Sequence, residues 1–155
     1  MANCYILIGV PASGKSTWVD NNQHLYDAIA SSDDTIEIVA SEYGFTYSET
    51  FKKLIDFASM VFERDLKSAI DLNENIVIDR TNVSSKARKR FIDMFKKAGY
   101  TVTAVVFETP NAEEWKRRLD SRPDKFIPED VLTSMSKNFV YPNVDEGFDY
   151  VIKGN

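Results

Sequence analysis

The stretch that decides the fold is Gly9-Val10-Pro11-Ala12-Ser13-Gly14-Lys15-Ser16-Thr17, which follows the apolar run Cys4-Tyr5-Ile6-Leu7-Ile8. It fits the pattern G-x-x-x-x-G-K-[ST], with a predicted strand before it and a predicted helix after it. Such a loop turns successive backbone N–H groups around an anion, and the helix adds the positive end of its dipole. A Gly/Ser turn with a chance lysine is the alternative. We expect this P-loop to bind a nucleoside triphosphate, with Lys15 at the phosphates and Ser16 at Mg²⁺.

Strand-like and helix-like segments alternate along the rest of the chain. Further strands are predicted at 27–31, 75–79, 100–107 and 148–152, and helices at 15–21, about 34–42, 46–72, 84–98, 110–120 and 128–139. This alternation predicts an α/β fold with a parallel sheet of about five strands and helices on both faces. Ligands of such folds bind beyond the carboxyl ends of the strands. The P-loop, Asp33, Asp79 and Thr81 all fall there.

Composition limits the class of protein and its surroundings. The 155 residues suit one domain with one core, and no apolar run approaches the ~20 residues that span a bilayer. A single cysteine, Cys4, excludes an internal disulfide and favours a reducing, cytoplasmic setting. One Cys and one His (His24) are too few for a metal cluster, so any metal should be Mg²⁺ held by oxygen. The net charge of −5 argues against a protein that coats nucleic acid non-specifically.

Three carboxylates on the expected ligand-binding edge are candidates for chemistry. Asp79 ends the strand expected beside the P-loop strand, where it can reach Mg²⁺ or order the Ser16 hydroxyl. A strand-end aspartate that only satisfies a turn is the alternative. Asp33 and Asp34 follow the second strand, and a kinase acting on an alcohol needs a carboxylate to accept the hydroxyl proton. Because a helix N-cap needs the same residue type, we assign the base to Asp33 and the cap to Asp34.

Two arginines are candidates for a small helical lid. Arg118 and Arg122 are one helical turn apart, just before the Arg122-Pro123-Asp124 break, so their guanidinium groups share one face. Arginines on such an element can close over a triphosphate and offset charge in the transition state. A solvated basic helix end accounts for the same spacing equally well.

Four motifs in a fixed order carry a resemblance to a known family. They are Gly-Val-Pro-Ala-Ser-Gly-Lys-Ser-Thr-Trp at 9–18, Ser32-Asp33-Asp34, Asp79-Arg80-Thr81-Asn82, and Arg118-x-x-x-Arg122 followed by Ile127-Pro128-Glu129-Asp130-Val131-Leu132. With them, the chain resembles the kinase domain of phage and animal polynucleotide 5′-kinases, within the wider group of zeta-toxin-type P-loop kinases. Glu146-Gly147-Phe148-Asp149 also looks like the C-terminal pattern of that family. The resemblance covers nearly all of residues 1–155, as a single P-loop kinase domain.

The resemblance implies a three-layer α/β/α fold and transfer of the γ-phosphate of ATP to a 5′-hydroxyl of RNA or DNA. It implies that Lys15 and Ser16 hold the phosphates and Mg²⁺, and that Asp33 is the general base. Asp79 would organise Ser16, the metal or the substrate end, with Thr81 nearby at the acceptor site. Arg122, with Arg118, would act on the transferring phosphate.

One departure from the family keeps other acceptors open. The phage enzymes carry, three positions after the base, an arginine that helps hold the acceptor's phosphate, whereas this chain has Ile36 followed by Glu37. Arg80 is a candidate replacement. Ile36 and the acidic charge favour a small-molecule kinase for a nucleoside, sugar or similar alcohol. The basic run after the acceptor motif favours a polynucleotide; its members are Lys86, Arg88, Lys89 and Arg90. A nucleotide-binding switch module is a further alternative, but it would give Asp33, Arg118 and Arg122 no function.

Overall fold

The centre of the fold is a five-stranded parallel sheet. The structure, a computed structural model, describes residues 1–31, 47–122, 125 and 127–155, and only the backbone of 47–53. The strands are β1 (Asn3–Ile8), β2 (Ala28–Ala30), β3 (Ile76–Ile78), β4 (Thr101–Val106) and β5 (Tyr150–Lys153). Their order is β2-β3-β1-β4-β5, and every neighbouring pair is parallel. The prediction of a parallel sheet of about five strands is confirmed, with the P-loop strand in the middle.

Side chains cap the starts of two of the described helices. They are α1 (Lys15–Asn21), α2 (Tyr47–Asp71), α3 (Ser85–Lys97), α4 (Ala112–Asp120) and α5 (Glu129–Lys137). The Ser84 hydroxyl accepts the Ala87 N–H at 3.1 Å before α3, and the Asn111 side chain accepts the Glu114 N–H at 2.9 Å before α4. Such caps satisfy the donors that a helix start leaves unpaired. The helix predicted through Glu42 lies outside the described residues.

Helices cover both faces of the sheet because its strands are apolar on both sides. Alternate residues of β1 point in opposite directions, so that Ile6 packs with Phe62 of α2 and Phe95 of α3, whereas Leu7 packs with Trp18 of α1. Burying a large apolar side chain in this way contributes roughly 1.5–3 kcal/mol. The result is a three-layer α/β/α arrangement.

Two further details concern the cysteine in the core and the start of the last strand. Cys4 is a fully buried free thiol, and burial raises its pKa well above the ordinary value, as expected of a structural cysteine. The last strand begins at Tyr150, two residues later than predicted, because Phe148 packs into the core and the Asp149 carboxylate accepts the Val102 N–H at 2.8 Å. Within the described ranges, every helix is too short or too polar to cross a bilayer.

Candidate active site

The P-loop takes a shape that only glycine allows at two positions. Gly14 has φ +112°, a left-handed conformation that side chains disfavour, directly before α1. A Cβ on Gly9 would lie 2.5 Å from Ser13 Oγ and 2.9 Å from Phe107 Cβ. The two glycines of the sequence pattern are therefore both required by the conformation of the loop.

The loop presents backbone donors that fit a phosphate group. In the part of the chain that the structure describes, the N–H groups of Ala12, Ser13 and Gly14 make no hydrogen bond, and the buried Ser13 hydroxyl has no partner. Successive N–H groups of this kind, placed before a helix, form an anion-binding nest. Ser16 and Thr17 lie exposed in the first turn of α1.

Lys15 packs along the backbone of the same loop. Its ammonium group donates to the carbonyl of Gly9 at 2.8 Å and to that of Val10 at 2.9 Å. The ammonium group thus lies against two carbonyls of its own loop, and its role at the phosphates stays a prediction.

Helix α4 contacts the outer side of the P-loop through two side chains. The Trp115 indole N–H donates to the Pro11 carbonyl at 2.7 Å, and Arg118 Nη1 donates to the Ala12 carbonyl at 3.2 Å. Arg118 is therefore not a solvated helix end, and it touches the P-loop backbone directly. Trp115 had no motif to mark it in the sequence, since an aromatic residue in a helix usually signals packing alone.

A carboxylate on α4 orients Arg118. Glu114 accepts Arg118 Nε at 2.9 Å and Arg117 Nε at 2.9 Å. The hydrogen bonds from Arg117 and then Arg118 lower the pKa of Glu114 to about 2, so Glu114 is ionised at neutral pH. Arg122 follows the end of α4 and is half-buried, with its N–H donated to the Leu119 carbonyl at 3.1 Å.

The predicted acceptor motif lies directly beside the P-loop. The Gly9 N–H donates to the Thr81 carbonyl at 2.9 Å, and Asn82 Nδ2 donates to the Leu7 carbonyl at 2.9 Å. Asp79 follows β3, which pairs with β1 as predicted, and its N–H donates to the Ala30 carbonyl at 2.9 Å. We call residues 79–83 the acceptor loop. Hydrogen bonds thus tie this loop to the P-loop strand on one side and to the end of β2 on the other.

Arg80, in the acceptor loop, stacks on an aromatic ring of α2. Its guanidinium carbon lies 3.6 Å from the centre of the Phe62 ring, a cation–π distance. Asp33, Asp34, Ile36 and Glu37 lie outside the described residues. The roles that the sequence suggests for Arg80 and Asp33 therefore stay predictions.

One of the four members of the basic run after the acceptor motif is buried, and the other three are exposed. Arg88 is fully buried and pairs with Glu146 at 2.9 Å. Lys89 pairs with Asp93 at 2.9 Å. Arg90 pairs with Glu63. Burial removes Arg88 from any surface that could meet a polynucleotide, whereas Lys89 and Arg90 stay exposed within their ion pairs. The interpretation of this run as support for a polynucleotide substrate stays a prediction.

A family model described as "AAA domain" matches residues 5–142. Heterogeneous nuclear ribonucleoprotein U-like protein 2 of Mus musculus is 28% identical to this chain, over 96% of the chain and 21% of that protein. The bifunctional polynucleotide phosphatase/kinase of Schizosaccharomyces pombe is 25% identical, over 94% of the chain and 32% of that protein. The chain thus spans only between a fifth and a third of the length of these relatives.

Solved structures share the fold. A candidate kinase from Chloroflexus aurantiacus matches with a TM-score of 0.70 and 15% identity, over 98% of this chain and 84% of that one. Shikimate kinase from Aquifex aeolicus matches with a TM-score of 0.51 and 16% identity, over 98% and 87% of the two chains. At these identities the likeness concerns the fold, which is that of a P-loop kinase.

Proposed function

Because the chain belongs to the AAA domain family and has a P-loop kinase fold, we propose that it transfers the γ-phosphate of ATP to the 5′-hydroxyl end of RNA or DNA. The observation that carries the proposal is the 2.9 Å hydrogen bond between the Gly9 N–H and the Thr81 carbonyl. It holds the acceptor loop against the loop that would hold the phosphates. The alignment with a relative named as a polynucleotide phosphatase/kinase supports this choice of acceptor.

The P-loop would bind the triphosphate of ATP. Its unpaired N–H groups at Ala12, Ser13 and Gly14 suit phosphate oxygens, and Lys15 would leave its backbone carbonyls to reach the β- and γ-phosphates. Among the described residues, no group of three or more His, Cys, Asp or Glu side chains converges. Ser16 and Asp79 would hold Mg²⁺ together with phosphate oxygens, and the ion would neutralise charge on the β- and γ-phosphates.

The acceptor would react at the edge where β2 and β3 end. The carboxylate of Asp33 would accept the proton of the 5′-hydroxyl as its oxygen bonds to the γ-phosphorus. The bond between that phosphorus and the β,γ-bridging oxygen breaks, and ADP leaves. Asp79, Arg80 and Thr81 would position the strand end that carries the hydroxyl.

Arg122 is the arginine that we propose for the transferring phosphate. Arg118 donates to the Ala12 carbonyl of the P-loop, and Arg122 stands one helical turn further along the chain, just beyond the end of α4 at Asp120. A guanidinium group there would offset the charge that develops on the phosphoryl oxygens.

The experiment is transfer of labelled γ-phosphate from ATP to short 5′-hydroxyl oligonucleotides, in RNA and DNA versions. A matched reaction offers free nucleosides and 3′-nucleotides. Label on an oligonucleotide is the expected result, and its RNA/DNA ratio would indicate which nucleic acid the protein repairs. ATP hydrolysis without label on any acceptor would refute the proposal and favour a switch or an unrelated alcohol.

A small-molecule kinase is the second candidate, and a specific observation favours it. Arg88 is buried and paired with Glu146, so one of the four cations of this run cannot reach a polynucleotide backbone. Ile36 stands where the resembling family has a cation. Label on nucleosides or 3′-nucleotides alone would select this candidate.

For either acceptor, we propose that residues 1–155 act as one kinase domain in the reducing cytoplasm, where Cys4 needs no disulfide partner.

A further inference from the structure

Two adjacent peptide groups of the P-loop are held from outside by α4. The Pro11 carbonyl accepts the Trp115 indole N–H, and the Ala12 carbonyl accepts Arg118 Nη1. In a trans peptide unit the carbonyl and the following N–H point in opposite directions, and the described residues contain no cis peptide bond. The Trp115 bond therefore aims the N–H of Ala12, and the Arg118 bond aims the N–H of Ser13, to the other side of the loop.

The residue between these two contacts has an unfavourable backbone conformation. Ala12 has φ +61°, a left-handed value that residues with a Cβ seldom adopt. Such a conformation persists when its surroundings supply enough fixed contacts. The hydrogen bonds on the carbonyls before and after the Ala12 Cα are contacts of this kind.

We propose that Trp115 and Arg118 are positioning residues that hold the P-loop in its phosphate-binding shape, acting on its backbone and not on the transferring phosphate. This inference rests on the proposed function only in so far as the loop binds a nucleotide. Helix α4 would then have two roles. It precedes Arg122 in the chain, and its contacts orient the P-loop N–H groups that would bind the phosphates.

The chain offers a matched control for Arg118. Arg117 is the preceding residue, carries the same charge and donates to the same Glu114 carboxylate, but its side chain is 70% exposed and, among the described residues, hydrogen-bonds to Glu114 alone. Arg118→Met and Arg117→Met therefore remove equal charges from the same turn of α4. Only the first removes a hydrogen bond to the P-loop. Trp115→Phe removes the indole donor and keeps an aromatic ring.

The test is the affinity for ADP, measured by calorimetry on the folded wild type and the three variants. ADP lacks the γ-phosphate, so a residue acting only on the transferring group leaves its dissociation constant unchanged. We expect Trp115→Phe and Arg118→Met each to raise this constant about three- to ten-fold, the effect of one hydrogen bond. Arg117→Met should change it by less than about two-fold, as for an exposed charge. With ATP, the KM should rise in the first two variants more than kcat falls.

The other possible results of these measurements would contradict the positioning role or the proposed function. Unchanged ADP affinity in Trp115→Phe and Arg118→Met overturns the positioning role, and a loss of kcat alone in Arg118→Met assigns that arginine to the γ-phosphate. Equal losses of ADP affinity in Arg118→Met and Arg117→Met would show that the removed charge alone causes the effect. A wild type that binds no ADP refutes the proposed function itself. Thermal unfolding of each variant shows that the protein is folded, as expected because both positions are only half-buried.

Discussion

Arg88 and Glu146 form a two-pronged ion pair, with Nε–Oε1 and Nη2–Oε2 distances of 2.9 Å, and Arg88 is completely buried. Its remaining nitrogen, Nη1, donates to the carbonyls of Asn82, Val83 and Val140 at 2.9–3.2 Å. A buried charge is tolerated only when it is paired and hydrogen-bonded in this way. Arg88 consequently joins the acceptor loop to the segment before β5, and its charge stabilises the folded structure.

Removing the charge of Glu146 should destabilise the protein strongly. Glu146→Gln leaves the buried Arg88 without a carboxylate, so the free energy of unfolding should fall by about 3 kcal/mol, in the range measured for broken buried pairs. Urea unfolding followed by circular dichroism measures the change. Asp93→Asn is the control, because it breaks only the exposed pair with Lys89 and should cost less than about 1 kcal/mol. Equal costs in the two variants would contradict the structural role of Arg88.

Asp33→Asn should abolish phosphoryl transfer and leave ATP affinity close to that of the wild type. The amide keeps the size of the side chain but cannot accept the hydroxyl proton. Steady-state kinetics and ATP titration separate the two effects. Asp34→Asn is the matched control and should retain turnover, because Asp34 is assigned to a helix cap. Normal turnover in Asp33→Asn would remove the general base from the mechanism.

Arg122→Ala should lower kcat by roughly 10³-fold or more, by analogy with arginines that stabilise a transferring phosphoryl group. ADP affinity should stay nearly constant, in contrast to the variants of Trp115 and Arg118. Lys116→Ala serves as the comparison, since Lys116 is exposed and paired with Asp120 within α4. If kcat in Arg122→Ala changes only a few-fold, Arg122 is a solvated residue at the helix end.

Gly154→Ala should weaken both the fold and nucleotide binding. A Cβ at position 154 would lie 2.2 Å from Cε2 and 2.3 Å from Cζ of Phe107, whose own Cβ lies against Gly9 of the P-loop. Because Phe107 is fully buried, the added methyl group should cost about 1–3 kcal/mol through overpacking. Denaturant unfolding and ADP titration test the two effects. A variant as stable as the wild type would show that Phe107 can move without consequence.

The contribution of Asp149 to stability should depend on pH in a defined direction. The hydrogen bond from Lys96, and then that from the Val102 N–H, lower the pKa of Asp149 in the folded protein. The stabilisation is therefore complete above the unfolded-state pKa of about 3.9 and is lost as pH falls through the folded-state pKa. The difference in unfolding free energy between wild type and Asp149→Asn should shrink from neutral pH to below pH 4. A difference independent of pH would contradict this account.

Much of the fold was predictable because its signals are local. The loop between Gly9 and Ser16 carries its own geometric requirements, and the alternation of apolar runs with amphipathic segments specifies strands and helices over short distances. Ser84 and Asn111 mark helix starts by bonding to an N–H three residues away. The expectation that the strand before Asp79 neighbours the P-loop strand is confirmed by the pairing of β3 with β1.

Contacts between distant parts of the chain were not predictable in this way. Trp115 lies 104 residues from Pro11, and Arg88 lies 58 residues from Glu146. Nothing in the local pattern distinguishes Arg88 from Lys89, although one is buried and the other exposed.

The sequence by itself determined the P-loop and the order of strands and helices along the chain, because these depend on backbone conformations and periodicities within a few residues. Only the tertiary structure decided which charged side chains are buried and which are exposed. It also decided which P-loop carbonyls accept hydrogen bonds from α4. These outcomes depend on packing, since burial forces Arg88 to pair with Glu146 and the docking of α4 brings Trp115 and Arg118 to Pro11 and Ala12.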